Sequence, residues 1–259
     1  MVARMIYGAE REVRDEIAKL TLQVARPIVW HDPKMGFPKP IEGATCFFLR
    51  FAGRILGITA NHVVVAYEAA LTVTPGIVCQ LKVSPPFDLL GSIVARDKDL
   101  DLATFAVSEE FVSQAEAVAL DCRGDWPPPM PERGGRLSVC GFPELIRRVD
   151  AHGTGQFQAY GALAAVDDLT DRDIITTYEP ERDLDSGLAP KPPLGFNMSG
   201  CSGGPVLAHG VRNGLLRWFP VGLIVSGPRA DGPRLFEGVD IIHCRRIDFI
   251  QPDGTIRPQ

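Results

Sequence analysis

Residues 195 to 206 read Gly-Phe-Asn-Met-Ser-Gly-Cys-Ser-Gly-Gly-Pro-Val, with a serine at 202 set among glycines at 200, 203 and 204. Glycine has no Cβ, so it takes positive φ without strain and lets another chain come close. A backbone folded this tightly can aim two N–H groups at one point beside the serine hydroxyl. Acyl transfer needs such a pair, because negative charge grows on the attacked carbonyl oxygen. The N–H groups of Gly200 and Ser202 are the candidate oxyanion donors, and Ser202 Oγ is the candidate nucleophile. The bland reading of the same string is a glycine-rich surface turn.

A serine hydroxyl is a weak nucleophile at neutral pH unless a base takes its proton. Of the five histidines, His62 has the most suggestive setting, Thr59-Ala60-Asn61-His62-Val63 behind an apolar strand, where a short turn is expected to expose the ring. The base in turn needs a carboxylate that holds one tautomer and stabilises the imidazolium. Asp101 opens Asp101-Leu102-Ala103-Thr104-Phe105-Ala106-Val107, a carboxylate at the mouth of a strand. Asp97 and Asp99 are its rivals, and Asp101 is preferred for its place two residues before the small Ala103. His31, His152, His209 and His243 have no comparable surroundings. Cys201 is an alternative thiol nucleophile, with a small backbone-directed residue as its competing role.

In the chain order His, Asp, Ser, these strings resemble the signatures of chymotrypsin-fold (trypsin-like) serine peptidases. TANHV is similar to the family's T-A-A-H, DLATFAV to its D-x-A-x-[LF]-x-[VL], and GCSGGPV to its G-x-S-G-G-P. The resemblance implies an all-β fold of two antiparallel six-stranded β-barrels, with His62, Asp101 and Ser202 as a catalytic triad in the cleft between them. The implied reaction is peptide-bond hydrolysis through an acyl-enzyme, with a polypeptide as substrate. Pro220 to Gly227, PVGLIVSG, resembles the family strand that pairs with the bound peptide, which implies substrate contacts at Ser226 and Gly227. Phe196 stands where trypsin-type members carry a pocket-floor aspartate, so the resemblance disfavours a requirement for Lys or Arg at the cut.

Other departures separate the chain from secreted members. Val63 follows the histidine where those enzymes have a half-cystine, Cys201 precedes the serine where zymogens keep an aspartate, and no I-V-G-G-like start is present. The pattern is most similar to intracellular bacterial trypsin-like peptidase domains. A competing reading keeps the fold but makes it a catalytically weak or inactive module that binds or regulates other proteins, since function follows the site and not the fold.

The 259 residues carry a formal charge of −5, which argues against nucleic-acid binding by bulk electrostatics. Apolar residues make up 45% and charged ones 23%, a globular balance, while 26 Gly and 22 Pro exceed average usage and point to many strands and turns. No run of 18 predominantly apolar residues occurs, so no transmembrane helix or membrane partner is expected. Residues 1 to 20 are too charged for a secretion signal, and a cytoplasmic address is expected. Six scattered cysteines show no C-x-x-C spacing, so reduced thiols are expected and no metal or cofactor is assigned. Oligomeric state is left open.

Along the chain, Val13, Ile17, Leu20 and Val24 keep the period of an amphipathic helix over residues 9 to 24. Thr45 to Thr59 alternates around Ala52-Gly53 and predicts a β-hairpin. Further strands are expected at 77–83, 90–95, 102–107, 136–140, 155–165, 173–178, 205–209, 215–225 and 235–242. The proline-rich stretch 121 to 135 reads as a connection between two halves. This gives a helical extension over 1–30 and a peptidase domain over 31–259. Within that domain, barrel 1 spans about 31–120, barrel 2 about 136–243, and a tail 244–259. The loop 179 to 195 leads into the glycine-rich stretch.

Overall fold

In the computed structural model, the residues described are 19–20, 22–34, 41–81, 84–124, 126–144, 147–149, 155–178, 197–212, 214–227 and 240–257. The hairpin is present. Glu42–Phe51 (β2) pairs antiparallel with Arg54–Thr59 (β3) across the turn at Ala52 and Gly53, and Gly53 has a φ of 83°. A two-residue turn needs positive φ to match the twist of its strands, and glycine supplies it. Ala25–His31 (β1), Val78–Leu81 (β4), Ile93–Asp97 (β5) and Leu102–Val107 (β6) extend this sheet in the order β4-β1-β2-β3-β6-β5. Ala119–Asp121 (β7) runs parallel to β2.

The second large sheet uses Arg136–Gly141 (β8), Tyr160–Ala165 (β11), Asp168–Leu169 (β12), Asp173–Tyr178 (β13), Pro205–Arg212 (β14), Leu215–Ser226 (β15) and Asp240–Arg246 (β16). Its order is β11-β8-β14-β15-β16-β13-β12, all antiparallel. Arg148–Val149 (β9) and Gly155–Gln156 (β10) form a separate ribbon. The protein is therefore mostly β, with antiparallel sheets, one of which curls into a half-barrel. Six-stranded closure was expected for each half; the described strands form two seven-stranded sheets with unjoined ends. The helix expected over 9–24 lies largely outside the described residues, of which 19, 20 and 22 to 24 are helical.

Three segments differ from expectation. His62 was expected in a short turn but stands near the start of a helix, Asn61–Val73 (α1), whose Ala66, Glu68, Ala69, Ala70 and Leu71 are strong helix formers. The strand expected at 90–95 begins with one helical turn, Leu89–Ser92 (α2), because the Asp88 side chain accepts the Gly91 N–H and caps it. Residues 155–165 divide into β10 and β11. A third helix, Glu109–Gln114 (α3), is capped by Ser108. The strand expected at 235–242 is β16, starting at Asp240, and residues 228–239 lie outside the description.

Phe47, Phe48, Leu49, Leu56, Ile58 and Phe105 fill the first core, and β2 is covered on both faces. The C-terminal tail, which follows the second half in sequence, packs on the first: Ile247, Phe249 and Ile250 join that core, and Thr104 Oγ1 donates to Gly254 O at 2.6 Å. All six cysteines are buried and none forms a disulfide. No described helix is long and apolar enough to cross a membrane.

The second sheet holds a buried histidine. The Ser138 hydroxyl and His209 Nε2 share a hydrogen bond between β8 and β14, and Trp218 crosses the ring edge-on. Burial, and then the charge of Arg136, bring the His209 pKa down from 6.5 to about 4. Between those values the unfolded chain binds the proton and the folded chain does not, so stability falls as pH drops from 6.5 toward 4, by about 3 kcal/mol in all. His209→Gln is expected to remove that part of the acid sensitivity, as read from urea unfolding at pH 7 and pH 4.5.

Candidate active site

The helix α1 begins without a cap of its own, because Ala60 has no side chain that can accept its free N–H groups. Asp101 supplies the missing acceptor from the turn before β6, the strand paired with β3. Its Oδ1 accepts the His62 backbone N–H at 2.8 Å, and its backbone carbonyl accepts the Asn61 N–H at 3.2 Å. The second carboxylate oxygen, Oδ2, lies 2.7 Å from His62 Nδ1. An ionised carboxylate only accepts, so in this contact Nδ1 is the donor, and in the neutral ring Nε2 is then the nitrogen with the lone pair. One residue thus caps the helix and orients the ring at its second position.

Asp101 reaches this place through an unusual backbone, with φ of 53°, at the end of the turn that leads into β6. Aspartate tolerates the left-handed region better than most side chains. Its rivals do other work or none here: Asp97 Oδ1 accepts the Leu100 N–H at 2.7 Å within the same turn, and no contact joins Asp99 to His62. Asn61 Oδ1 accepts from Arg96 Nε at 2.9 Å, and Arg96 also meets Glu68 at 2.6 Å, which ties α1 to β5.

Ser202 lies in a tight turn between Gly200, with φ of 94°, and Gly203, with φ of 83°. A Cβ at Gly203 would meet Thr45 O and Thr59 Oγ1, and one at Gly204 would meet Cys140 O, so close approach demands glycine at both places. Ser202 and His62 line one cleft of about 480 Å³, together with Gly200, Ser226, Gly227 and Glu144. No hydrogen bond joins the Ser202 hydroxyl to the ring among the described residues. Phe196 lies outside the described residues. Cys201 is fully buried, and burial pushes its thiol well above the ordinary range, so it is a core residue and not an exposed thiolate.

Two peptide planes fix the candidate donors. Ser199 O accepts from Glu144 N at 2.7 Å, and Cys201 O accepts from Gly204 N at 2.9 Å. In a trans peptide the N–H points opposite to the C=O, so the Gly200 and Ser202 N–H groups are turned away from those contacts. Neither donates to another described residue.

Thr45, which carried no motif in the sequence, joins the two sheets at this turn. Its N–H donates to Ser202 O at 2.9 Å, and its hydroxyl donates to Gly200 O at 2.8 Å and accepts the Phe142 N–H at 2.9 Å. Its carbonyl accepts the Thr59 hydroxyl at 2.9 Å, and the residue is fully buried. Only a β-strand carrying a hydroxyl beside an otherwise apolar run could have pointed to it.

Among the described residues, no group of three or more His, Cys, Asp and Glu side chains is arranged to hold a metal ion. Compared with known proteins, the chain matches no family model and no curated protein.

Proposed function

We propose that the protein is a serine endopeptidase of the chymotrypsin-fold type, with the two large sheets as the halves of a two-barrel enzyme. The observation that carries this reading is the His62 ring, held through Nδ1 by a helix-capping carboxylate, lining the same cleft as a glycine-framed serine. In the first step His62 Nε2 takes the Ser202 proton as Oγ attacks the scissile carbonyl carbon, and the C–O bond forms as the carbonyl π pair moves onto oxygen. The Gly200 and Ser202 N–H groups hold that oxygen. Collapse breaks the C–N bond, and the imidazolium gives its proton to the leaving amine. Water then attacks the acyl-enzyme with His62 again as base, releasing the carboxylic acid and restoring Ser202. Ser226 and Gly227 line the cleft where the substrate backbone pairs.

The absent bond between the Ser202 hydroxyl and the ring favours a second reading, a binding module with little hydrolysis. Contacts of this kind are often long without substrate and tighten when it arrives. A fluorophosphonate probe separates the two readings. Covalent labelling of Ser202 that is lost in His62→Ala supports the peptidase; folded protein that takes no label supports the module.

A further inference from the structure

The cleft does not end at the catalytic pair. Trp30, Glu42 and Ala66 line both it and a second cavity of about 440 Å³, so the two join into one groove. The second cavity runs between α1 and the end of β1, past Asp32, Ala69, Ala70, Val73 and Ile77. His62, Ala66, Ala69, Ala70 and Val73 fall on one side of the helix at the spacing of neighbouring turns. The small alanines leave room, and Val73 is 83% exposed. From His62 to Val73 a helix rises about 16 Å, the length of about five residues of extended chain.

The walls of this groove carry one sign of charge. Glu42 and Glu144 line the first cavity, Glu42 and Asp32 the second, and no Lys or Arg is among the described lining residues of either. Glu42 is fixed at the junction, where its Oε2 accepts the Trp30 indole N–H at 3.0 Å while Oε1 has no described partner. Arg147, which is not among the lining residues, interacts electrostatically with both Glu144 and Glu42, and its Nη1 donates to Ile41 O at 2.6 Å. His31 and His62 are the remaining titratable groups of the lining.

We infer that this groove binds about five residues of an extended polypeptide on the side of the cut away from Ser226 and Gly227, and selects a Lys or Arg side chain opposite Glu42. The assignment of the groove to a substrate rests on the peptidase reading, whereas the charge preference of binding does not. Binding is therefore measured on the Ser202→Ala protein, by fluorescence anisotropy of labelled heptapeptide pools in which one position is fixed as Lys or Glu and moved along the chain.

At one position the Lys pool is expected to bind about ten-fold tighter than the Glu pool, and Glu42→Lys to reverse that order. Ala69→Trp, at an exposed helix position, is expected to abolish the gain from lengthening the peptide from two to five residues on one side. Equal binding of Lys and Glu pools at every position overturns the inference, as does a length gain that survives Ala69→Trp in protein with an unchanged melting transition. Failure of fluorophosphonate labelling alongside a Lys preference would count against the peptidase reading and leave the groove's charge selection standing.

Discussion

Asp101→Asn is expected to lower kcat/KM for peptide hydrolysis by about 10⁴-fold while leaving thermal stability nearly unchanged. The asparagine oxygen still accepts the His62 backbone N–H and keeps the cap on α1. Its NH₂ group then faces His62 Nδ1 and offers a proton where the carboxylate accepted one. The ring must place its own proton on Nε2, so the nitrogen proposed to take the Ser202 proton can no longer act as base. In triads of this design the wrong tautomer costs about four orders of magnitude. Asp101→Ala removes both bonds and adds a loss of about 1 kcal/mol in stability from the uncapped helix. The pair of variants, assayed for turnover and by urea unfolding, separates the proposed catalytic role of the carboxylate from its capping role. Equal activity in Asp101→Asn and the unmodified protein would contradict the assignment.

Thr45→Val carries the second large effect, this time on both stability and rate. Valine matches the shape but cannot donate to Gly200 O or accept the Phe142 N–H, which strands two buried backbone groups. Each such loss costs about 1 to 3 kcal/mol, so the variant is expected to lose roughly 3 kcal/mol in urea unfolding. The freed Gly200–Cys201 peptide also loosens the turn that carries the two proposed oxyanion donors, and kcat is expected to fall by about 10²-fold, the scale of one misplaced donor. Thr45→Ser keeps the hydroxyl and is expected to restore most of both. A Thr45→Val protein with unchanged stability and kcat would show that the hydroxyl bridges nothing of consequence.

The parts of this site that were legible in sequence are those whose chemistry is local. The Gly200 to Gly204 string announces a tight turn because only glycine fits backbones this close, and the structure places Thr45 O and Cys140 O against those positions. The alternation of residues 45 to 59 with Ala52-Gly53 at the bend gives the β2–β3 hairpin directly. Strand 102–107 matches β6 residue for residue. What sequence did not reveal depends on contacts between distant segments. A helix start at Asn61 was hidden because its cap comes from Asp101, outside the window in which capping signals are sought. The role of Thr45 needs Ser202, Gly200 and Phe142 brought to it by folding. The tail's return to the first core, through Phe249 and Ile250, likewise has no local signature.

The proposed mechanism requires the Ser202 hydroxyl, the His62 ring and two backbone donors to converge on a single reacting centre. The structure of the protein after reaction with a fluorophosphonate measures that convergence directly. The phosphonyl oxygen is expected at about 2.7 to 3.1 Å from both Gly200 N and Ser202 N, with His62 Nε2 facing the modified Oγ. A phosphonyl oxygen turned to solvent, with neither amide in hydrogen-bond range and the ring directed elsewhere, would contradict it.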